Sequence, residues 1–152
     1  RSGPASVRLP MGFWKKLFGT PEERVDYYRE GVELMAAGNY HEALTSLRLA
    51  LRESPDDVTI LQQIAVAQTR IGLTTEAVKT YRQALERDPK AAGAHYGIAF
   101  LLLHEGRHAE AMEHLRAFLE SPPKGPDVER HIVHARQTLS ELEAALAGGE
   151  LT

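Results

Sequence analysis

The stretch GLTTEAVKTYRQALERDP (72–89) decides how this chain is read, because it occurs three times. GNYHEALTSLRLALRESP (38–55) precedes it and GRHAEAMEHLRAFLESPP (106–123) follows it, each 34 residues away. Gly38, Gly72 and Gly106 share a register, as do Ala43, Ala77 and Ala111, and Pro55, Pro89 and Pro123. The same step links Gly31, Ala65 and Ala99, then Leu47, Tyr81 and Leu115, then Ala50, Ala84 and Phe118. A fixed period of this length is the signature of a stacked-repeat architecture.

Within each copy, two amphipathic patterns flank the glycine. In the second copy Leu61, Ile64, Ala65 and Gln68 share one helical face, and Ala77, Tyr81, Ala84 and Leu85 share the next. The pattern predicts helix, turn, helix. Gly72 suits the left-handed position just past a helix end, where a side chain costs energy. Thr74 is expected to cap the following helix, as is Asn39 with Glu42 in the first copy. Small residues at 31, 65 and 99, and at 43, 77 and 111, let the two helices of a pair approach closely. The prolines stop each second helix and turn the chain into the next copy.

A helical hairpin of this length, with small residues at its eighth and twentieth positions and proline near its end, resembles the tetratricopeptide repeat. In that register the copies run 24–57, 58–91 and 92–125, and Gly31, Leu34, Gly38, Tyr40, Ala43, Leu47, Ala50 and Pro55 fill the signature positions of the first. The family's usual tryptophan at position four is Tyr27, Leu61 and His95 here, and Phe118 is larger than the usual alanine, a change expected to loosen or shift the last pair. The fold class implied is all-α: an α-solenoid of three hairpins within residues 20–147, closed by a C-terminal capping helix over 126–147 and a frayed tail at 148–152. Val128, Ile132, Ala135, Leu139 and Leu142 give that last helix its apolar face. TPEE (20–23) reads as a capping box that starts the first helix near Pro21.

The resemblance also implies where a ligand would sit, since the first helix of each pair lines the inner face of such a stack. Residues expected to form a peptide-binding groove are Tyr28, Val32 and Met35, then Gln62, Val66 and Thr69, then Tyr96, Phe100 and Leu103, with Arg130 and His134 added by the terminal helix. Val25, Thr59 and Gly93 fall in the same register. A family subset that grips chaperone-tail carboxylates has lysine, asparagine and arginine where this chain has Tyr28, Val32, Gly93 and Gly97, so that clamp is missing. The implied function is a scaffold or adaptor binding a protein or peptide ligand, an amphipathic helix or extended apolar segment, in an apolar groove.

Composition agrees with a folded, non-catalytic body. Of 152 residues, 43% are apolar and 26% charged, the net charge is -3 with signs interspersed, and there is no cysteine. Nucleic acid is therefore not an expected partner, thiol chemistry is excluded, and the apolar run GIAFLLL (97–103) is far shorter than a membrane span. His131 and His134 stand three apart on one helix, but nothing in the sequence completes a metal site, and His104 and His108 flank a turn; these are expected at the solvated surface, with His95 at a helix interface. No nucleophile motif or phosphate loop occurs, so no cofactor, metal or enzymatic activity is expected. The absence of targeting signals suggests cytoplasmic residence.

Two N-terminal segments stand apart. RSGPASVRLP (1–10) is expected to be either extraneous to a natural start at Met11 or a disordered linker. The aromatic appendage MGFWKKLFG (11–19) places Phe13, Trp14, Leu17 and Phe18 on one helical face, with Lys15 and Lys16 largely on another. Three roles are open to it: a cap on the first helix, insertion into a groove of its own or a neighbouring molecule, or weak membrane-surface contact. The second makes the alternative function a self-assembling homo-oligomer.

Overall fold

A computed structural model of the chain describes residues 24–151 together with Gly12. The expectations for residues 1–10, for Phe13, Trp14, Leu17 and Phe18, and for the TPEE cap lie outside the described residues. The rest is helical: α1 (Tyr27–Ala36), α2 (Tyr40–Glu53), α3 (Val58–Arg70), α4 (Thr74–Arg87), α5 (Ala92–His104), α6 (His108–Glu120) and α7 (Val128–Ala147).

The densest packing is within the pairs α1–α2, α3–α4 and α5–α6, followed by each helix against the next hairpin, with α7 laid on α6. α1 also touches α3, and α3 touches α5, whereas the second helices form no comparable row. The stack therefore curves, with α1, α3 and α5 on its inner side. These are three stacked helical hairpins and a closing helix, an all-α solenoid.

The residues that carry the period explain why. Gly38, Gly72 and Gly106 have φ of 80, 83 and 77°, the left-handed conformation that glycine adopts without strain. At each, the residue after the glycine returns its N–H to a helical carbonyl of the preceding turn: Asn39 to Leu34, Leu73 to Gln68 and Arg107 to Leu102, all at 2.8 Å. The small positions are fully enclosed: Ala43, Ala65, Ala77, Ala99 and Ala111 are all at 0% exposure. A Cβ on Gly31 would stand 2.7 Å from the Leu47 side chain, so α1 approaches α2 more closely than any side chain there permits. In the middle hairpin the buried Gln68 of α3 and Thr80 of α4 satisfy each other, with Thr80 Oγ1 2.7 Å from the amide oxygen. α5 is apolar on every side because it meets α3, α4 and α6 at once.

Four local expectations are corrected. The first helix starts at Tyr27, not near Pro21, and is capped by Asp26, whose carboxylate accepts from Arg29 N at 3.0 Å. Val25 is thus ahead of the helix and exposed. Asn39 is at the cap position of α2 without a side-chain bond, and Thr74 is already inside α4, whose cap is Leu73. In both hairpins the residue directly after the glycine takes the cap position, which in α4 puts an apolar leucine there and Thr74 one place too late to cap. Asp57, which closes the proline turn by donating its N–H to Ser54 O at 3.1 Å, caps α3 by accepting from Ile60 N at 3.1 Å. Residues 148–150 form a hydrogen-bonded closing turn: Gly149 has φ of 74°, and Glu150 N donates to Ala145 O at 2.9 Å, as at the ends of the inner helices. Finally, Phe118 does not loosen the last pair. It is 2% exposed and packs with Ala99, Leu115 and Ala135, filling space between α5, α6 and α7.

Candidate functional site: an aromatic inner groove

The inner helices place Tyr96 and Phe100 one turn apart on α5, ring centroids 4.8 Å from each other. α7 closes over them. His134 stacks on Phe100 at 4.6 Å with the planes 7° apart, its Nδ1 lies 2.8 Å from Tyr96 Oη, and His131 presents its edge to Tyr96 at 5.0 Å. Below, Tyr96 meets the buried Phe118 at 5.0 Å. Their i, i+3 spacing puts both imidazoles against the α5 aromatics, His134 at the exposed surface as expected and His131 half-buried. Burial raises the Tyr96 phenol above its ordinary value, partly countered by the positive charge of Arg130, so the hydroxyl stays neutral at physiological pH.

Three adjoining clefts share Tyr96 and His131: one of about 270 Å³, lined also by Gly93, Phe118, Pro123, Asp127 and Val128, and two larger ones. One, of about 480 Å³, is lined by Val66, Thr69, Arg70, Tyr81, Gly97, Phe100 and Leu101 as well. The other, of about 550 Å³, adds Arg130, Val133, His134 and Gln137. Of the residues expected in a groove, these clefts unite Val66, Thr69, Tyr96, Phe100, Arg130 and His134. Tyr28 borders a separate cleft of about 430 Å³ at the N-terminal end, with Asp26, Glu53 and Asp57. Val32, Met35, Gln62 and Leu103 are half-buried and lie outside all of these clefts, Met35 and Leu103 packed against the core.

Tyr81, Arg70 and His131 were not among the expected groove residues. Tyr81 occupies the register of Leu47 and Leu115, which marks it as a packing residue; it is 4% exposed, yet its ring reaches the cleft floor. Burial pushes its phenol up to about 12. It reaches that floor because Gly97 opposes it. A Cβ on Gly97 would stand 2.3 Å from Tyr81 Cζ and Oη, and one on Gly93 2.3 Å from Gln62 Oε1. The two positions where the carboxylate clamp has a lysine and an arginine are thus occupied by neighbouring side chains.

A second histidine pair lies in the same hairpin. His95 on α5 and His114 on α6 bring their Nδ1 atoms to 2.9 Å, and His95 Nε2 is 2.7 Å from Pro89 O. The carbonyl only accepts, so His95 donates through Nε2, and in the neutral ring its Nδ1 accepts from His114. Burial holds His114 below the ordinary histidine value, reinforced by the charges of His95 and Arg82 and opposed by Glu110 and Glu113. A histidine whose folded value is depressed binds its proton more readily when unfolded, so its contribution is complete above about pH 6.5 and is lost as pH falls below it. The melting temperature should accordingly drop on acidification through the histidine range, and His114→Gln should flatten that drop. An unchanged slope in the variant would exclude the pair as its source. Glu110, by contrast, is held low: burial raises it, but the Arg82 hydrogen bond at 2.7 Å and the charges of Arg82 and Arg107 outweigh that, so its effect is lost only at lower pH.

Among the described residues no group of three or more histidines, aspartates or glutamates is placed to hold a metal ion, and no helix is long and apolar enough to cross a membrane.

The comparisons with known proteins converge on the repeat. The tetratricopeptide repeat model matches residues 28–77 and 63–126. The TPR repeat-containing thioredoxin TTL4 of Arabidopsis thaliana is 30% identical over 135 residues, which is 80% of this chain and 20% of that protein. The photosystem I assembly protein Ycf3 of Cyanophora paradoxa is 36% identical over 91 residues, 58% of this chain and 53% of that one. The chain thus spans only part of the length of the curated relatives it matches. Among solved structures, the Yersinia enterocolitica type III secretion chaperone SycD in complex with a peptide of the translocator YopD superposes with a TM-score of 0.72 at 18% identity, over 78% of this chain and 90% of that one. The first TPR of Spaghetti (RPAP3), bound to the HSP90 peptide SRMEEVD, gives 0.69 at 18% identity over 80% and 90%. These likenesses concern the fold. With its glycine turns, its enclosed small residues and these matches, the chain belongs to the tetratricopeptide repeat family.

Proposed function

We propose that this chain is a protein-interaction scaffold or adaptor that holds a peptide or amphipathic helix in its inner groove and carries out no reaction of its own. The observation that carries the reading is the aromatic and aliphatic floor formed by Val66, Tyr96, Phe100 and Leu101, open to solvent as a cleft of about 480 Å³. Half-buried aromatics with a polar rim suit the burial of a ligand's apolar face, at about 25 cal/mol for each Å² removed from water before association costs. SycD with its YopD peptide and Spaghetti with its HSP90 peptide are similar folds with peptides bound, which supports the same use here.

The test is selection from a displayed library of amphipathic peptides. Phe100→Ala is the informative variant, because Phe100 is half-buried at the groove while Tyr96 also supports Phe118. Selected peptides should bind the Phe100→Ala protein at least about tenfold more weakly, the range expected for an aromatic anchor at an interface. Equal binding would place the contact elsewhere and remove the groove from the reading.

A further inference from the structure

The clefts of the stack change sign along its length. At its N-terminal end the cleft beside Tyr28 is lined by Asp26, Glu53 and Asp57 with no lysine or arginine. At its C-terminal end the two larger clefts that share Tyr96 and His131 are lined by Arg70 and Arg130 and by no aspartate or glutamate, and the smaller one beside them has Asp127 as its one acidic residue. The chain as a whole carries a net charge of -3, so this positive end is a local arrangement.

Ion pairing alone does not set these two apart, since Arg24, Arg48, Arg52 and Arg136 also take part in none with another described residue. What sets them apart is that they line the clefts. Arg82 and Arg107 are paired with Glu110, Arg87 with Asp56, and Arg116 with Glu143. Neither Arg70 nor Arg130 takes part in an ion pair with another described residue. Arg70 lies over the Tyr40 ring, 5.6 Å from its centroid. A guanidinium resting on an aromatic face is steadied there while its fork of N–H donors, which lies in its own plane, stays available to a carboxylate.

We propose that the C-terminal half of the groove selects an amphipathic peptide segment with acidic side chains on either side of its apolar anchor. The anchor rests on Val66, Tyr96 and Phe100, and the carboxylates meet Arg70 and Arg130. This deepens the scaffold reading and rests on it. It differs from recognition of a chain's terminal carboxylate, because Gly93 and Gly97 offer no cation and their space is taken by Gln62 and Tyr81.

Two blocked synthetic peptides test it, identical in their leucine and phenylalanine anchor at helical spacing and differing only in flanking glutamates or glutamines. Titrated into the whole protein at low salt, the glutamate peptide should bind about fivefold to twentyfold more tightly, as two charge-assisted contacts at a partly exposed rim allow. That advantage should shrink as salt is raised. It should vanish in Arg70→Gln/Arg130→Gln, whose circular dichroism should match the parent because both side chains are exposed. Phe100→Ala should weaken both peptides alike. Equal affinity for the two peptides, with both still weakened by Phe100→Ala, overturns the charge preference and leaves the groove reading intact. Preference for a lysine-flanked version of the same peptide also overturns it, in favour of the acidic end. Failure of both peptides to bind overturns the two readings together.

Discussion

Phe118→Ala should destabilise the protein by about 3–5 kcal/mol, the cost of emptying a phenylalanine-sized site in a close-packed core. Phe118 is 2% exposed, and its ring lies 5.0 Å from Tyr96. Ile132, Leu139 and Leu142 of α7 pack on the same cluster. It is thus the buried centre of the contact between α7 and the third hairpin. In a stack where each unit touches only its neighbours, the loss should stay local. Hydrogen exchange should show α5 to α7 opening early in the variant while α1 to α4 keep their protection. A loss of under about 1 kcal/mol would mean that the site collapses around the gap, which its enclosure by three helices argues against. The same substitution should weaken peptide binding, because Tyr96 would lose its support from below.

Gly97→Val should cost about 2–3 kcal/mol, by a different mechanism. Glycine inside a helix is itself unfavourable by about 1 kcal/mol, so replacing it would ordinarily help. Here the added Cβ would stand 2.3 Å from the Tyr81 ring, which is 4% exposed and can yield only by giving up its packing in the core. Gly93→Ala is the matched control. The atom it would meet is the amide end of Gln62, a flexible side chain that can turn away, so the change should be close to neutral. Urea unfolding midpoints of the two variants separate the cases. If both are neutral, α4 and α5 are less tightly apposed than these distances indicate.

Much of this molecule can be read from residue spacing because its turns and close contacts are set by residue size alone. A left-handed turn needs glycine and a close helix crossing needs alanine or glycine, so Gly38, Gly72, Gly106, Ala65 and Ala99 disclose their places without reference to anything else. Hydrogen-bonded caps are harder, since Asn39 stands at the cap position without making the bond and Thr74 falls one place inside its helix, while Asp26 and Asp57 make theirs. The groove is legible only in part. Tyr96 and Phe100 follow from register, and so do Val66 and Thr69. Tyr81, Arg70 and His131 become groove residues through contacts between elements far apart in sequence. The His95–His114 pair, 19 residues apart on facing helices, leaves no periodic trace at all.

The three glycine turns have nearly the same φ and close with the same hydrogen bond. The path of the chain from one helix to the next is therefore independent of which copy it belongs to. Of the three hairpins, the middle one presents to each side the surface that a hairpin presents inside the stack, whereas α1 begins the described array and α6 is committed to α7. A gene duplication of residues 58–91 would for this reason add a unit that fits its own copy, lengthening the inner surface by one step without a new kind of joint. The chain's architecture is thus one that can grow or shrink by whole units, with partner choice revised by editing inner-face side chains after the length has changed.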